Sequence, residues 1–234
     1  MKFLSLLVFT SFFAAPTLSK ADTVIDICDR DVVGKIIAKE VKAPSCHEVS
    51  VEAMTQLKTL DLSYESVGSI SANTFQGLYS LEMLRLIRCE IDQISPEAFR
   101  DLKSLRHLVL AENHISQLPV NAFKDLNLLE TLNLNGNQLK QVPTEQLSSL
   151  SSLIYLNLQE NQISQVLPKA FQKLHLLKNL GLDGNPLVNV QQEAFKGMNS
   201  LYSISFFECG LERIRLSWVG LSRNVVVYGT QVFP

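Results

Sequence analysis

The sequence predicts an α/β solenoid, with a curved parallel β-sheet on its concave side and loops and short helical turns on its convex side. Three observations predict it. Written in rows of twenty-four, the chain repeats from Leu57 through Leu81, Leu105, Leu129, Leu153, Leu177 and Leu201 without an insertion or deletion. Every row keeps an aliphatic residue or Phe at its first, fourth, sixth, eleventh and fourteenth places. A Phe, Leu or Val also recurs at the nineteenth place. A fixed period of this length is the mark of a stacked repeat architecture.

Row three shows the pattern in full: Leu105, Leu108, Leu110, Asn113, Ile115, Leu118, Pro119, Ala122, Phe123, Leu126. Across the repeat the fourth and sixth places mostly alternate with polar neighbours, the period-two signature of a strand with one buried face. Because the next row repeats the pattern, the strands are expected to stack in parallel about 4.8 Å apart. One row has too little core to fold alone, and stacking joins the rows into a continuous interior.

The ninth place reads Glu65, Cys89, Asn113, Asn137, Asn161, Asn185, Cys209. Asparagine there satisfies backbone groups where the chain turns inward, giving a buried hydrogen-bonded ladder between rows. Glu65 breaks the series, so row one is expected to be less regular. The nineteenth place reads Phe75, Phe99, Phe123, Leu147, Phe171, Phe195, Val219 and predicts an apolar spine on the convex side.

The repeat resembles the leucine-rich-repeat family, in the twenty-four-residue form common in extracellular animal proteins such as Toll-like receptor ectodomains. Ala98-Phe99, Ala122-Phe123, Ala170-Phe171 and Ala194-Phe195 carry the half-motif A-F-x-x-L that marks this form. The resemblance runs from Leu57 to about Val219. It implies a binding scaffold, in recognition or innate immunity, and it makes cysteine the usual substitute for asparagine in the ladder. The cysteine-rich C-terminal cap of secreted relatives has no counterpart here.

The expected organisation is a signal peptide over 1–21, an N-terminal cap over 22–56, seven repeats over 57–224 and a C-terminal edge or cap strand over 225–234. The leader reading rests on Lys2, on the apolar run Phe3 to Phe13, and on Ser19 and Ala21 at the −3 and −1 places of a cleavage site. Cleavage after Ser19 and an uncleaved anchor are the alternatives. Removing Lys2 and Lys20 leaves 19 basic against 23 acidic residues, a net charge of −4. That balance, without a basic cluster, argues against nucleic acid and anionic membrane as partners. A secreted, extracellular protein without a membrane anchor is expected. Val51 and Met54 stand where a preceding row would place its Phe and last Leu. Trp218, Val219, Leu221 and the stretch Val225–Val227 are expected to fold over the open C-terminal edge.

Four cysteines allow three pairings. Cys89 and Cys209 share a ladder place five rows apart, roughly 24 Å at 4.8 Å per strand, beyond the reach of a disulfide. Cys28 with Cys46 is the natural bridge, and Cys89 and Cys209 are then buried thiols. No C-x-x-C pair supports a zinc site. His107 and His114 lie in one row without an obvious third ligand, and neither a G-x-S-x-G elbow nor a phosphate loop occurs. No catalytic residue, metal site or cofactor is therefore expected.

The third, fifth, seventh and eighth places should face outward on the concave side. Rows four to six fill them mostly with polar residues and glycine, whereas rows one to three present Met83, Ile87 and Val109 beside Tyr64, Arg85, Arg88, His107 and Glu112. Apolar anchors among arginine and tyrosine match the composition of interface hot spots. These eight residues are the expected contact with a protein ligand. The alternatives are a decoy or inhibitor of a larger repeat receptor, and pairing with itself or another subunit through the C-terminal end.

Overall fold

Leu60, Leu84, Leu108, Leu132, Leu156, Leu180 and Ile204 hold the fourth place of successive rows, and none is more than 2% exposed. The structure, a computed structural model, describes residues 24–215, 219–221 and 224–233. The leader expected at 1–21, and Trp218, lie outside the described residues.

Each fourth-place residue centres a three-residue strand: Thr59–Asp61, Met83–Arg85, His107–Val109, Thr131–Asn133, Tyr155–Asn157, Asn179–Gly181 and Ser203–Ser205. All pair in parallel at constant register, so the seven apolar side chains lie in one file. The sixth-place residues, from Leu62 to Phe206, form a second file with no exposure at all. Burying a Leu contributes about 1.5–3 kcal/mol, and each row exposes its files unless another row covers them. That dependence makes stacking obligatory.

Val226–Tyr228 adds an eighth strand, parallel to Ser203–Ser205. The stretch expected to lie over the open edge therefore extends it. The backbone groups that an edge strand leaves unpaired recruit the next extended segment. Its step is 23 residues where the earlier rows step 24. Gly229 makes the close approach possible, since a Cβ there would lie 2.3 Å from the backbone nitrogen of Phe207. Val219, Leu221 and Val225 are buried beneath this end. Beyond it, Gln231–Phe233 pairs in parallel with Arg213–Arg215.

The N-terminal segment is built differently. Val24–Ile25 pairs antiparallel with Val49–Ser50, and helix α1 (Asp31–Glu40) buries Val33, Ile37 and Ala38 on one face. Gly34 allows α1 to pack against the preceding turn, because a Cβ there would lie 2.0 Å from the carbonyl oxygen of Ile27. Helix α2 (Val51–Gln56) starts at Ser50, whose hydroxyl accepts from the Ala53 amide at 3.3 Å. Met54 of α2 is buried. Arg30 donates to the Gln76 carbonyl at 2.8 Å and ties this segment to row one.

On the convex side the rings of Phe75, Phe99 and Phe123 stack at 5.9 and 6.1 Å, and Phe171 stacks on Phe195 at 5.8 Å. Leu147, at the end of the short helix α3 (Thr144–Leu147), interrupts the stack.

Candidate binding surface

The ladder residues are structural, and their geometry sets the edge of the exposed sheet. Asn137 donates to the carbonyls of Leu110 and Leu134 at 2.9 and 3.0 Å and accepts from the Ile115 amide at 3.1 Å. Asn113, Asn161 and Asn185 repeat this pattern toward the row before each. Each side chain is thus polar, buried and satisfied on both sides.

A thiol donates but is only a weak acceptor, and the structure accommodates this at both cysteine rungs. Cys89 donates to the Leu62 carbonyl and Cys209 to the Leu182 carbonyl, each at 3.0 Å. The amides that an asparagine oxygen would have satisfied turn elsewhere. Val67 donates to the carbonyls of Glu65 and Cys89, and Leu187 donates to that of Asn185. Burial pushes the Cys89 thiol up to about 11 and raises that of Cys209.

Cys28 and Cys46 are joined by a disulfide, with Cα atoms 5.0 Å apart. His47 lies beside it and contacts Asp26 at 2.9 Å. Among the described residues, that is the one cluster of at least three His, Cys, Asp or Glu groups close enough to share an ion. The disulfide consumes both of its sulfurs. His107 and His114 do not join such a cluster.

On the concave side, Met83, Arg85, His107 and Val109 stand on strands. Ile87 lies beyond its strand but within the same ladder, since the Tyr64 amide donates to its carbonyl at 2.8 Å. Arg85 is exposed, while Met83, Ile87, His107 and Val109 are half-buried. Tyr64, Arg88 and Glu112 occupy the eighth place, where every row turns through the left-handed region. Their φ values are 69°, 54° and 54°, and Gly136 and Gly184 fill the same place in rows four and six. These three side chains therefore stand at the sheet's margin, and Tyr64 is 71% exposed.

The charges on this surface are coupled from row to row. Arg88 bonds Glu112, Arg85 lies 3.8 Å from Asp61, Lys58 bonds Glu82 at 2.8 Å, and Arg106 bonds Glu130. Such pairs are cross-strand neighbours.

Rows five to seven and the eighth strand carry a second concave feature. Gly181, where other rows bear a side chain, opens a hollow of about 530 Å³ lined by Tyr155, Gln159, Asn179 and Ser205 and walled by Phe207 and Tyr228. The last two rings stack at 6.5 Å and are 54% and 46% exposed. Asp183 holds the floor together by accepting from Ser205, Gln159 and the Phe207 amide.

Residues 86–139 and 129–187 match the family profile described as Leucine rich repeat. Over residues 86–187 the rows are leucine-rich repeats. Solved structures agree, with 415 matching chains. Drosophila Toll, in its complex with Spatzle, superposes over 61% of this chain with a TM-score of 0.57 and 23% identity. TLR13, in its complex with ssRNA13, superposes over 76% with a TM-score of 0.70 and 24% identity. The matches cover 19% and 25% of those chains, so this chain spans a fifth to a quarter of their length. No curated protein sequence matches it.

The eight expected contact residues fall in one region, rows one to three, but not on one plane. The left-handed corner at the eighth place was readable from Gly136 and Gly184, which recur where the other rows carry larger residues. The charge pairing was readable too, from opposite charges twenty-four residues apart. The hollow at Gly181 had a weaker signal, a single glycine at a strand position. Its aromatic wall depends on Tyr228, which the eighth strand brings beside row seven.

Proposed function

We propose that this chain is a secreted, non-enzymatic recognition module that binds a protein through the concave side and margin of rows one to three, in extracellular or innate-immune recognition. The observation that carries the reading is the combination of half-buried Met83, Ile87 and Val109 with strongly exposed Tyr64 inside a rim of paired charges. Apolar and aromatic anchors within a polar rim are the anatomy of protein interfaces. Secretion is supported by the leader-like pattern from Lys2 to Ala21. Among the described residues, no helix is long and apolar enough to cross a membrane.

One structural relative is in complex with Spatzle and the other with single-stranded RNA. The paired charges and a net charge of −2 favour protein over RNA here, since affinity for a polyanion comes from cations that displace counterions. A decoy that occupies a larger repeat receptor's ligand is the same surface put to another use.

The test uses wild type, Ile87→Glu, Arg88→Glu and Thr131→Glu as parallel baits in extracellular fluid. Thr131 stands on the middle of the same sheet and serves as the control. Loss of a captured protein with the two row-two variants, but not with the control, is the expected result. The introduced acid must be desolvated unpaired, at a cost of several kcal/mol. Equal capture by all four baits, or selective retention of RNA, overturns the reading.

A second reading rests on the exposed Phe207–Tyr228 pair, which fits self-association through the C-terminal rows. A concentration-dependent mass in light scattering that disappears in Phe207→Ser would favour it.

A further inference from the structure

The convex spine has one gap, and a cavity opens beside it. Five of the rows place Phe at the nineteenth position. Row four has Leu147, so stacking stops at Phe123 and resumes at Phe171. Between the convex segments of rows three, four and five lies a cavity of about 460 Å³. Its floor is apolar: Leu147, Ala170, Phe171 and Leu174 line it, each no more than 3% exposed, and Val120 stands at its rim with 61% exposure. Such a volume lies within the range that holds small organic ligands.

The polar lining is not neutral. Lys124 comes from row three and Lys169 and Lys173 from row five, against a single acid, Glu145 of α3. Among the described residues, none of the three lysines forms an ion pair within 4 Å. Lys169 acts only at longer range on Glu193, which is already paired with Lys196. Three cations without an ion-pair partner are thus grouped over an apolar floor.

We propose that this convex cavity binds a small amphiphilic anion, an apolar ring or chain carrying one carboxylate or sulfonate. The apolar part fills the space beside Leu147, and the anionic group meets the lysines at the rim. Charge complementarity selects an anion over a cation of the same shape. The site is independent of the concave surface and stands whether or not that surface binds a protein.

The test measures the fluorescence of 8-anilinonaphthalene-1-sulfonate with the folded chain and its displacement by dodecanoate. Saturable binding of one equivalent is expected, reversed by dodecanoate and not by dodecyltrimethylammonium. Leu147→Phe completes the ring stack and fills the cavity, so it should weaken binding about tenfold or more, as for a loss of about 1.4 kcal/mol, while the melting temperature holds or rises. The Lys124→Glu, Lys173→Glu double variant changes only exposed positions. It should weaken the anion while circular dichroism stays unchanged. Absence of saturable binding, equal displacement by the cation, or unchanged affinity in both variants overturns the proposal. Should Leu147→Phe fail to fold, the lysine variant decides alone.

Discussion

Asparagine at a ladder position answers to two rows at once, which makes its removal expensive in a way that a surface asparagine's is not. Asn137→Ala removes one of the two asparagine donors from each of the Leu110 and Leu134 carbonyls, which Asn113 and Asn161 also serve, and leaves the Ile115 amide without its side-chain acceptor in a dry interior. We expect it to cost about 1–3 kcal/mol in urea denaturation. Asn135→Ala, at a half-buried position on the concave side, should stay within about 0.5 kcal/mol. Equal midpoints would mean that the ladder contributes nothing. The cysteine rungs carry a pH dependence of definite sign. Burial raises the Cys89 thiol from its ordinary value of 9.0 to about 11, so the folded state holds its proton more tightly than the unfolded state. The associated stability is intact below pH 9 and is lost as pH rises toward about 11. The melting temperature of wild type should therefore fall more steeply between those limits than that of Cys89→Ala, measured in the same buffers. Parallel slopes would show that this thiol is not protected. The ladder places were legible in the sequence because one position must do one job in every row. What was not legible is the rerouting of the Val67 and Leu187 amides, which arises only once a thiol replaces an amide.

Elements were legible in proportion to how strictly they repeat. The strands centred on Leu60 through Ile204 follow directly from the period, because a buried fourth and sixth place with polar neighbours admits no other local structure. The cap elements α1 and α2 and the Val24–Ile25 pairing have no period, and only the Cys28–Cys46 spacing and the partial row at Val51 and Met54 hinted at a closed unit there. The eighth strand differs from the expected edge cover for a related reason. Its 23-residue step lies off the twenty-four-residue grid, so a fixed register misses it, whereas the unpaired edge of Ser203–Ser205 accepts any extended chain that reaches it. The contact patch is an intermediate case. Its residues are where the grid places them, but the left-handed turn at Tyr64, Arg88 and Glu112 bends three of the eight to the margin. Backbone handedness leaves a trace in sequence only where glycine appears.

At the scale of the whole molecule, a stack of leucine-rich repeats is a one-dimensional object in which each row is stabilised by its two neighbours. Rows three to six have neighbours on both sides, row one leans on the cap, and the eighth strand has a sheet partner on one side only among the described residues. Protection should therefore vary along the chain instead of being shared equally. The sixth-place amides report it at equivalent positions. Leu62 donates to Arg85, Leu134 to Asn157 and Phe206 to Tyr228, at 2.9, 2.9 and 3.0 Å. Native-state hydrogen exchange should find the Leu134 amide the slowest of the three and the Phe206 amide the fastest, because its acceptor belongs to the edge strand. The Cys28–Cys46 bridge adds a directional test. It closes a loop between residues 18 apart, and opening a loop of that size costs about 3 kcal/mol in the chain-entropy picture. That loss falls first on the cap and passes to row one through α2 and the Arg30–Gln76 contact. Reduction should thus accelerate exchange at Leu62 strongly while leaving Leu134 near its original rate. Equal acceleration at all three amides would mean that the rows open together as a single cooperative unit, and the nearest-neighbour account of this solenoid would fail.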